Sequence, residues 1–366
     1  MAAAPGNKRK RFLTAIGRVT TGKLCMSACG AGGSRAALAI AVRYAHHRHI
    51  SGAREGQRVP LAAHRSHHAR LLDALATVYA MTFLHRDAVR RWAEHRPHER
   101  EHAERHVAVV KGWVTWQTRA VTLEARERCG AQGLFPDNGL AEYPLNIDGA
   151  ITAEGDNLAI WVKAAAEMIF DRPVPGPRTG PRTGTDGPAP APDDCVALRD
   201  LLCEAGALRH ARAGMCLRRG SHPDQLSRWN AAVTPALEAV AAHAVVLAAD
   251  AFLTAVEAVT DTVARELLER LCRLFLLGQV RQVAGELLAE GRMTPERVRG
   301  LPGAVDKLHA ALAPHLLTLV EAFDLPEEFL SAVAIADATY TDAYDDPDGP
   351  WHRVTEPAAQ EPVPTP

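Results

Sequence analysis

The chain has 366 residues, of which 47% are hydrophobic and 23% charged, so it has the composition of an ordinary globular protein. The formal net charge is −1, from 42 basic and 43 acidic residues, which leaves no overall electrostatic footprint for nucleic acid or an anionic membrane. Neither partner is therefore expected. Abundant alanine and arginine, with few β-branched runs, favour helices throughout.

The seven cysteines are odd in number and include no Cys-x-x-Cys pair, so neither a disulfide framework nor a zinc finger is indicated. No signal peptide is visible, and a reducing cytoplasm is the expected compartment. No uninterrupted apolar run approaches the roughly 18 residues of a bilayer span. The best candidate, residues 241–259, is broken by His243, Asp250 and Glu257 and predicts a buried helix.

The first predicted helix runs from about Phe12 to His47 and follows a basic run, NKRKR. That run is either a nuclear or nucleic-acid tag or a solvated helix entry, and the balanced charge favours the solvated entry. Arg48 stands directly after the helix, in a His-rich cluster. Its guanidinium can bind a phosphate, although an arginine after a helix is more often only solvated or ion-paired.

Apolar spacing predicts three more helices in the first half. The second begins at Pro60, a residue suited to a first helical turn, and ends near His95. The third covers about Glu101–Arg128, and the fourth about Asn157–Ile169. Four long helices and one functional loop predict a helical bundle.

A row of three histidines, His98, His102 and His106, falls at one face of the third helix. Three imidazoles at this spacing can bind zinc, but arginines and glutamates surround them, which is typical of a solvent-exposed helix face. We therefore predict no metal site here.

A Gly-rich turn with Gly130 and Gly133 follows the third helix and leads into a polar irregular loop. Glycine lets a backbone approach a ligand closely, but a helix C-cap is the commoner explanation of such a turn. Glu154 then precedes the fourth helix. A carboxylate near a first helical turn in an apolar cleft can act as a general base, whereas on spacing alone a helix-start charge is the commoner interpretation.

The second half begins after a Pro- and Gly-rich stretch, residues 171–194, which predicts a linker. From Asp345 the chain is acidic and Pro-rich, which predicts a disordered tail. Between them we predict further helices, with one boundary at Gly291 and a helix start at Thr294. Their expected ranges are Cys195–Met215, two helices within Thr234–Glu290, and Leu308–Phe323 with Pro314 tolerated near its beginning.

Several segments, in this order, resemble the C-terminal helical region of acyl-CoA oxidases, flavoproteins of the acyl-CoA dehydrogenase superfamily. GRVTTGKL with AIAVRYAHHRHISG is similar to the first helix of that region, and EARERCGAQG to its Gly-rich turn. ITAEGDN is similar to the segment that carries the base, and LAPHLLTLVEAFDLPEEFLSAVAIADATYTDAY to the family's last domain. The resemblance covers nearly the whole chain.

This resemblance implies an all-α fold. Residues 1–170 are expected to form a four-helix-bundle-like acyl-CoA oxidase/dehydrogenase C-terminal domain that carries the active-site motifs. A linker, residues 171–194, would lead to a second helical domain, residues 195–344, and then to a tail, residues 345–366.

The resemblance also implies a chemistry. Glu154 matches the catalytic base, which removes the α-proton of an acyl-CoA thioester while hydride passes to FAD. Arg48 matches an arginine that reaches the FAD diphosphate, typically that of the neighbouring subunit. FAD is the expected cofactor and acyl-CoA the substrate, as in fatty-acid β-oxidation. The residues expected to bind FAD are Arg48, Gly130, Gly133, Asp156 and Asn157.

The family normally carries a helical domain and a β-domain before this region, and this chain shows neither. We therefore expect a subunit or fragment, acting as a homodimer or as a heteromer with a chain that supplies the missing domains. Ala131 stands where a second glycine is usual, and Ala153 where an aromatic residue is usual. Two alternatives stay open: a non-catalytic helical subunit of a flavoenzyme complex, and an unrelated helical adaptor.

Overall fold

The computed structural model describes Lys8, Arg11 and residues 18–170, 194–219 and 223–340. The predicted helix start near Phe12, the linker over residues 171–193 and the tail from Asp345 lie outside these ranges. Within them the chain is helical apart from one short two-stranded sheet, which confirms the all-α prediction. The division into domains stays a prediction.

The first half is built on three long helices. They are α1 (Val19–His47), α2 (Arg65–Glu94) and α3 (Arg100–Arg128). All three pack against one another, and two shorter helices, α4 (Glu142–Thr152) and α5 (Asn157–Phe170), lie on α3. The predicted bounds of α3 and α5 are confirmed to within a residue.

Over residues 194–219 and 223–340, the second half contains three long and three shorter helices. They are α6 (Cys195–Arg218), α7 (Gln225–Ala258), α8 (Thr262–Ala289), α9 (Pro295–Leu312), α10 (Leu316–Glu321) and α11 (Glu327–Ser331). The prediction of two helices up to Glu290 is confirmed by α7 and α8, but α7 begins at Gln225 rather than at Thr234. Asp261 accepts the Ala264 N–H at the start of α8. Gly291 has φ +64°, as expected of a helix stop.

Small residues bring α1 and α3 close together. Ser27 and Ser34 on α1 are fully buried, and their hydroxyls donate hydrogen bonds to backbone carbonyls of the same helix. A Cβ on Gly30 would lie only 2.8 Å from Thr118 Oγ1 on α3. Larger side chains at this contact would separate the two helices on which the Glu154 loop rests.

The two halves share one apolar core. Tyr79 on α2 donates a buried 2.8 Å hydrogen bond to the carbonyl of Leu319 on α10. Its ring also packs on Phe252 of α7 and on Phe323. The backbone N–H of Ile335 donates to Asn138 Oδ1 in the segment after α3, at 3.4 Å. The first-half bundle thus contacts both backbone groups and aromatic rings of the second half.

The prediction that Pro60 opens the second helix is wrong. Pro60 ends strand β2 (Arg58–Pro60), which pairs antiparallel with β1 (His49–Ser51), and α2 begins only at Arg65. Its ψ of 149° is extended, and a proline φ suits a strand end as well as a helix start.

The structure corrects two further boundaries. The segment after the Gly-rich turn is not wholly irregular, since it contains α4. The predicted helix from Leu308 to Phe323 is interrupted, because α9 ends at Leu312 and Pro314 lies in a short 3-10 turn before α10. Proline lacks the N–H that a continuous helix would require there. The predicted helix start at Thr294 is confirmed, since its hydroxyl accepts the Arg297 N–H.

Two helices, α1 and α7, are long and apolar enough to cross a bilayer by length and composition alone. Their most apolar stretches are 61% and 50% buried inside the fold. The same composition is expected of helices at the centre of a protein core, and both helices occupy that position here.

Candidate active site

Glu154 lies in a strained reversal of the chain between α4 and α5. Its φ is +59° and that of Gly155 is +108°, so two successive residues have left-handed backbone. For a non-glycine residue this costs on the order of 1–2 kcal/mol. The half-buried Glu154 side chain lies against Gly22 of α1, where a Cβ would come within 2.3 Å of Glu154 Cδ. The glycine therefore leaves the space that the carboxyl group fills.

Lys111 on α3 is fully buried beneath this reversal. Its Nζ donates to the carbonyl of Ile151 at 2.7 Å and to that of Gly155 at 2.9 Å. These carbonyls lie on either side of Glu154. The last carbonyls of a helix have no intrahelical partner. The Lys111 ammonium, reaching over from α3, satisfies the Ile151 carbonyl at the end of α4 and also complements the dipole of α4.

Asp156 and Asn157 begin α5, and each makes contacts within the chain. Asp156 Oδ1 accepts the backbone N–H groups of Leu158 and Ala159, which is an N-cap arrangement. Asn157 is fully buried, and its Nδ2 donates to Thr115 Oγ1 of α3 at 2.9 Å. The two residues fix the start of α5 against α3.

Two lysines make the surroundings of Glu154 positively charged. Burial lowers the pKa of Lys111 to about 8, and the nearby charge of Lys23 adds to the effect, while Asp156 and Glu154 oppose it. Burial likewise lowers the pKa of Lys23 on α1, against the opposing charges of Glu154 and Glu104. The negative charge of Glu154 opposes both of these downward shifts in lysine pKa.

Arg48 is the exposed C-cap residue at the other end of α1. Its carbonyl accepts the Leu61 N–H, and its guanidinium bonds the Tyr340 hydroxyl. Tyr44, Tyr340 and Cys129 are buried beside it, and burial raises the pKa of the Tyr44 hydroxyl and of the Cys129 thiol to about 12. The Tyr44 hydroxyl and the Cys129 thiol are therefore neutral at physiological pH.

The Gly-rich turn directly follows Cys129. Gly130 has φ +57° and open space at its Cβ position, so it combines a C-cap conformation with room for another group. Gly133 is buried, and a Cβ there would lie 2.2 Å from the carbonyl oxygen of Arg126. The C-cap interpretation of the turn is confirmed, and contact with a ligand stays a prediction.

The structure separates the predicted site residues into two groups. Glu154, Asp156 and Asn157 form one group, which we call the Glu154 end together with Gly22, Lys23 and Lys111. Arg48, Gly130 and Gly133 form the other, which we call the Arg48 end. Gly22 lies near one end of α1 and Arg48 caps the opposite end, so at about 1.5 Å per residue they are roughly 39 Å apart.

Sequence reasoning missed Gly22, Lys23 and Lys111 as parts of the site. One signal was present: Lys111 interrupts the apolar run VAVVKGWV at a position that the helical period assigns to the core. A lysine on a buried face requires buried acceptors. The space beside Gly22 had no counterpart in the sequence pattern.

The histidine row is divided between solvent and core. His98 and His102 are exposed, as the solvated-face interpretation expected, but His106 is only 7% exposed. Burial lowers the pKa of His106 to about 4. Over residues 18–170, 194–219 and 223–340, no group of three or more metal-ligating side chains is present.

Two family models match the chain. "Acyl-CoA oxidase, C-alpha1 domain" covers residues 17–169, and "Acyl-CoA oxidase" covers residues 202–336. A putative acyl-coenzyme A oxidase 3.2 of Arabidopsis thaliana, named as peroxisomal, is 24% identical over 348 residues, which are 89% of this chain and 50% of that protein.

Solved structures share the fold. The crystal structure of acyl-CoA oxidase1 from Yarrowia lipolytica matches with a TM-score of 0.79 and 19% identity, over 94% of this chain and 55% of that one. Acyl-CoA oxidase-1 of Caenorhabditis elegans, complexed with FAD and ATP, matches with a TM-score of 0.75 and 18% identity, over 88% and 52%. The chain thus spans about half the length of the curated relatives it matches.

The comparisons correct one prediction. The relatives are named as peroxisomal acyl-CoA oxidases, from plants and from mammals. The expectation of a cytoplasmic protein is therefore wrong. It rested on cysteine usage, which indicates a reducing compartment without distinguishing between compartments of that kind.

Proposed function

The chain belongs to the acyl-CoA oxidase family, and from this premise we propose that it is the base-bearing helical part of an FAD-dependent acyl-CoA oxidase-like enzyme. The observation that carries the proposal is the placement of Glu154. Its carboxyl group fills the space beside Gly22, in a backbone reversal that buried contacts hold in place. A helix-start charge requires none of this strain, whereas a positioned base does.

The proposed reaction is α,β-dehydrogenation of an acyl-CoA to a 2-enoyl-CoA. Glu154 takes the α-proton of the thioester and holds it on its carboxyl group. Lys23 and Lys111 place two positive charges near this carboxyl group. FAD, when bound, supplies the acceptor for the hydride that leaves Cβ.

The residues of the Arg48 end fit part of an FAD molecule. Arg48 offers an exposed guanidinium, which suits a diphosphate, and Gly130 offers open space beside a left-handed turn. We propose that these two residues and Gly133 hold the nucleotide portion. The acyl-CoA oxidase-1 of C. elegans is complexed with FAD and ATP in its crystal structure, which supports the same cofactor here.

We further propose that the complete site needs a second chain. A separation of roughly 39 Å along α1 keeps Arg48 and Glu154 of one chain away from the same small ligand. Two clefts in the described ranges lie elsewhere: one of about 370 Å³ around Arg209 and Glu286, the other of about 210 Å³ around Asp73 and Gln282. A partner that supplies further walls, as a second copy or as a different chain, would complete the site.

The deciding experiment compares the visible spectrum and turnover of the purified chain, alone and co-expressed with a chain that carries the part of the acyl-CoA oxidase relatives outside the matched half. We expect flavin absorbance and acyl-CoA turnover only with the partner. Glu154→Gln should then lower kcat by about 10³-fold or more while flavin remains bound, since only the base is removed.

Glu104→Gln is the matched control, because Glu104 is also a carboxylate charge neighbour of Lys23 but bonds Arg100 on its own helix. This control should retain wild-type turnover. Retained turnover in Glu154→Gln would overturn the base assignment and favour a non-catalytic helical subunit. Absence of flavin from every complex would reject FAD as the cofactor and would likewise favour a non-catalytic helical subunit.

A further inference from the structure

The buried ammonium of Lys111 is the group in the Glu154 end with the least ordinary explanation. Lys111 is 0% exposed, and lysine is almost never fully buried unless it is paired. Its Nζ contacts are two backbone carbonyls, those of Ile151 and Gly155. A charged side chain in the core therefore hydrogen-bonds only to these backbone carbonyls among its described Nζ contacts. A neutral donor could make the same hydrogen bonds at a lower desolvation cost.

The two carbonyls are the boundaries of the strained reversal. Ile151 lies in the last turn of α4, and Gly155 is the second residue of left-handed backbone. Lys111 spans the three residues between them with two bonds from one atom. The Ala153 N–H bonds the Gly149 carbonyl at the end of α4, while Asp156 and Asn157 secure the start of α5. Lys111 links these two ends of the turn to each other.

We propose that Lys111 is a positioning residue for Glu154: by bridging the carbonyls of Ile151 and Gly155, it holds Glu154 in its left-handed conformation beside Gly22. This inference rests on the proposed role of Glu154 as base. Lys111 makes no contact with substrate in this arrangement and acts through the loop. Removal of the lysine would change both the geometry of the loop and the charge around it.

The first test needs neither flavin nor activity. Hydrogen exchange of the backbone amides of residues 152–157 is measured in the chain as it stands, for wild type, Lys111→Met and Lys163→Met. Methionine keeps the length of the lysine stem without its donors. We expect Lys111→Met to exchange at least about tenfold faster in this segment only.

Lys163→Met is the matched control, because Lys163 is an exposed lysine on α5 that shares the charge environment of Lys23 but pairs with Glu167. It should leave exchange unchanged. Equal exchange in Lys111→Met and wild type would overturn the proposal. Lys111→Gln provides a second variant in case Lys111→Met does not fold: it keeps shorter amide donors and should give intermediate exchange, and a wild-type result would overturn the need for the ammonium.

The second test uses the reconstituted complex. Misplacing a catalytic group by about 1 Å can cost 10²-fold, so we expect kcat of Lys111→Met to fall by about that factor with little change in KM. The pH dependence of kcat/KM is recorded for Lys111→Met and for wild type. The charged groups that face Lys111 are Lys23 from α1 and Glu154 and Asp156 from the loop, so the same profile in Lys23→Met separates the effect of charge from that of geometry.

The two tests distinguish the failure of this proposal from the failure of the proposed function. Faster exchange in Lys111→Met, with a wild-type complex that binds no flavin and turns over no acyl-CoA, would leave Lys111 as a holder of the loop and reject the role of Glu154. A wild-type complex that is active, with a Lys111→Met variant of equal kcat and pH profile, would reject the positioning role alone.

Discussion

The Glu154 end and the Arg48 end of the bundle treat their polar groups in opposite ways. At the Glu154 end, Lys111 and Asn157 are 0% exposed and bond to backbone or side chains of the same chain. At the Arg48 end the charged side chain is exposed, and the glycine beside it faces open space. The first end is organised internally, while the second presents its groups outward.

The difference teaches that one helix can carry two half-sites of different kinds. A base must be held within a fraction of an ångström of its working position, so its loop is bonded on several sides. A group that meets a ligand completed by another chain gains from remaining accessible. The following predictions test whether the first end is rigid and the second is free.

The largest effect is expected from Gly112→Ala at the Glu154 end. A Cβ on Gly112 would lie 2.1 Å from Trp161 Nε1, which itself donates to the carbonyl of Val109. Overpacking of this kind should lower the free energy of unfolding by about 3 kcal/mol, measured by chemical denaturation. Gly32→Ala on α1 meets nothing within 4 Å and should be slightly stabilising. Equal stability of Gly112→Ala and wild type would show that this end repacks freely.

A smaller effect is expected from acid, through His106 on the same half of α3. Burial, then the charge of Arg91, lower its pKa from 6.5 to about 4, against the opposing charge of Asp87, and His243 and His102 lower it further. The unfolded chain therefore binds a proton between pH 6.5 and 4 that the folded chain rejects. Stability is lost as pH falls through this window, by about 2 kcal/mol at pH 5 from this residue.

The measurement is the free energy of unfolding at pH 7 and pH 5 for wild type and His106→Gln. The variant cannot titrate, so its loss between the two pH values should be smaller by about the stated amount. His98→Gln serves as control, because His98 is exposed and should leave the pH dependence unchanged. A loss in His106→Gln as large as that of wild type would contradict the prediction.

The smallest effect on stability is expected at the Arg48 end. Arg48→Gln removes an exposed charge and a contact with Tyr340, so the free energy of unfolding should change by no more than about 0.5 kcal/mol. Flavin affinity of the reconstituted complex should nevertheless fall by about tenfold, measured by equilibrium titration. Arg54→Gln, on the hairpin, should change neither quantity, and an equally large flavin loss there would indicate a non-specific charge effect.

Helical periodicity was sufficient to predict the long helices but not the segments that connect them. The bounds of α3 and α5 follow from apolar spacing because these helices bury one continuous face. Helix α4 escaped prediction because it contains Gly149 and its stability comes from tertiary burial of Ile147 and Ile151. Local propensity carries little of that information.

Proline misled twice for one reason. A fixed φ and a missing N–H are compatible with a helix start, a strand end or a 3-10 turn, so Pro60 and Pro314 each admitted several structures. The family resemblance located Glu154, but neither its positive φ nor the buried bridge of Lys111 could be derived from spacing. Both depend on contacts between residues about 40 positions apart in the chain, which only the folded packing defines.

The length of α1 has a consequence for the evolution of this chain. Gly22 and Arg48 are connected by uninterrupted helix, so a one-residue insertion between them would move one half-site by about 1.5 Å and rotate it by about 100° relative to the other. Such a change would disrupt both the contact of the Glu154 carboxyl group with Gly22 and the packing register of α1 against α3. Substitutions can accumulate along this helix, but insertions and deletions cannot, and homologous sequences should align through it without gaps.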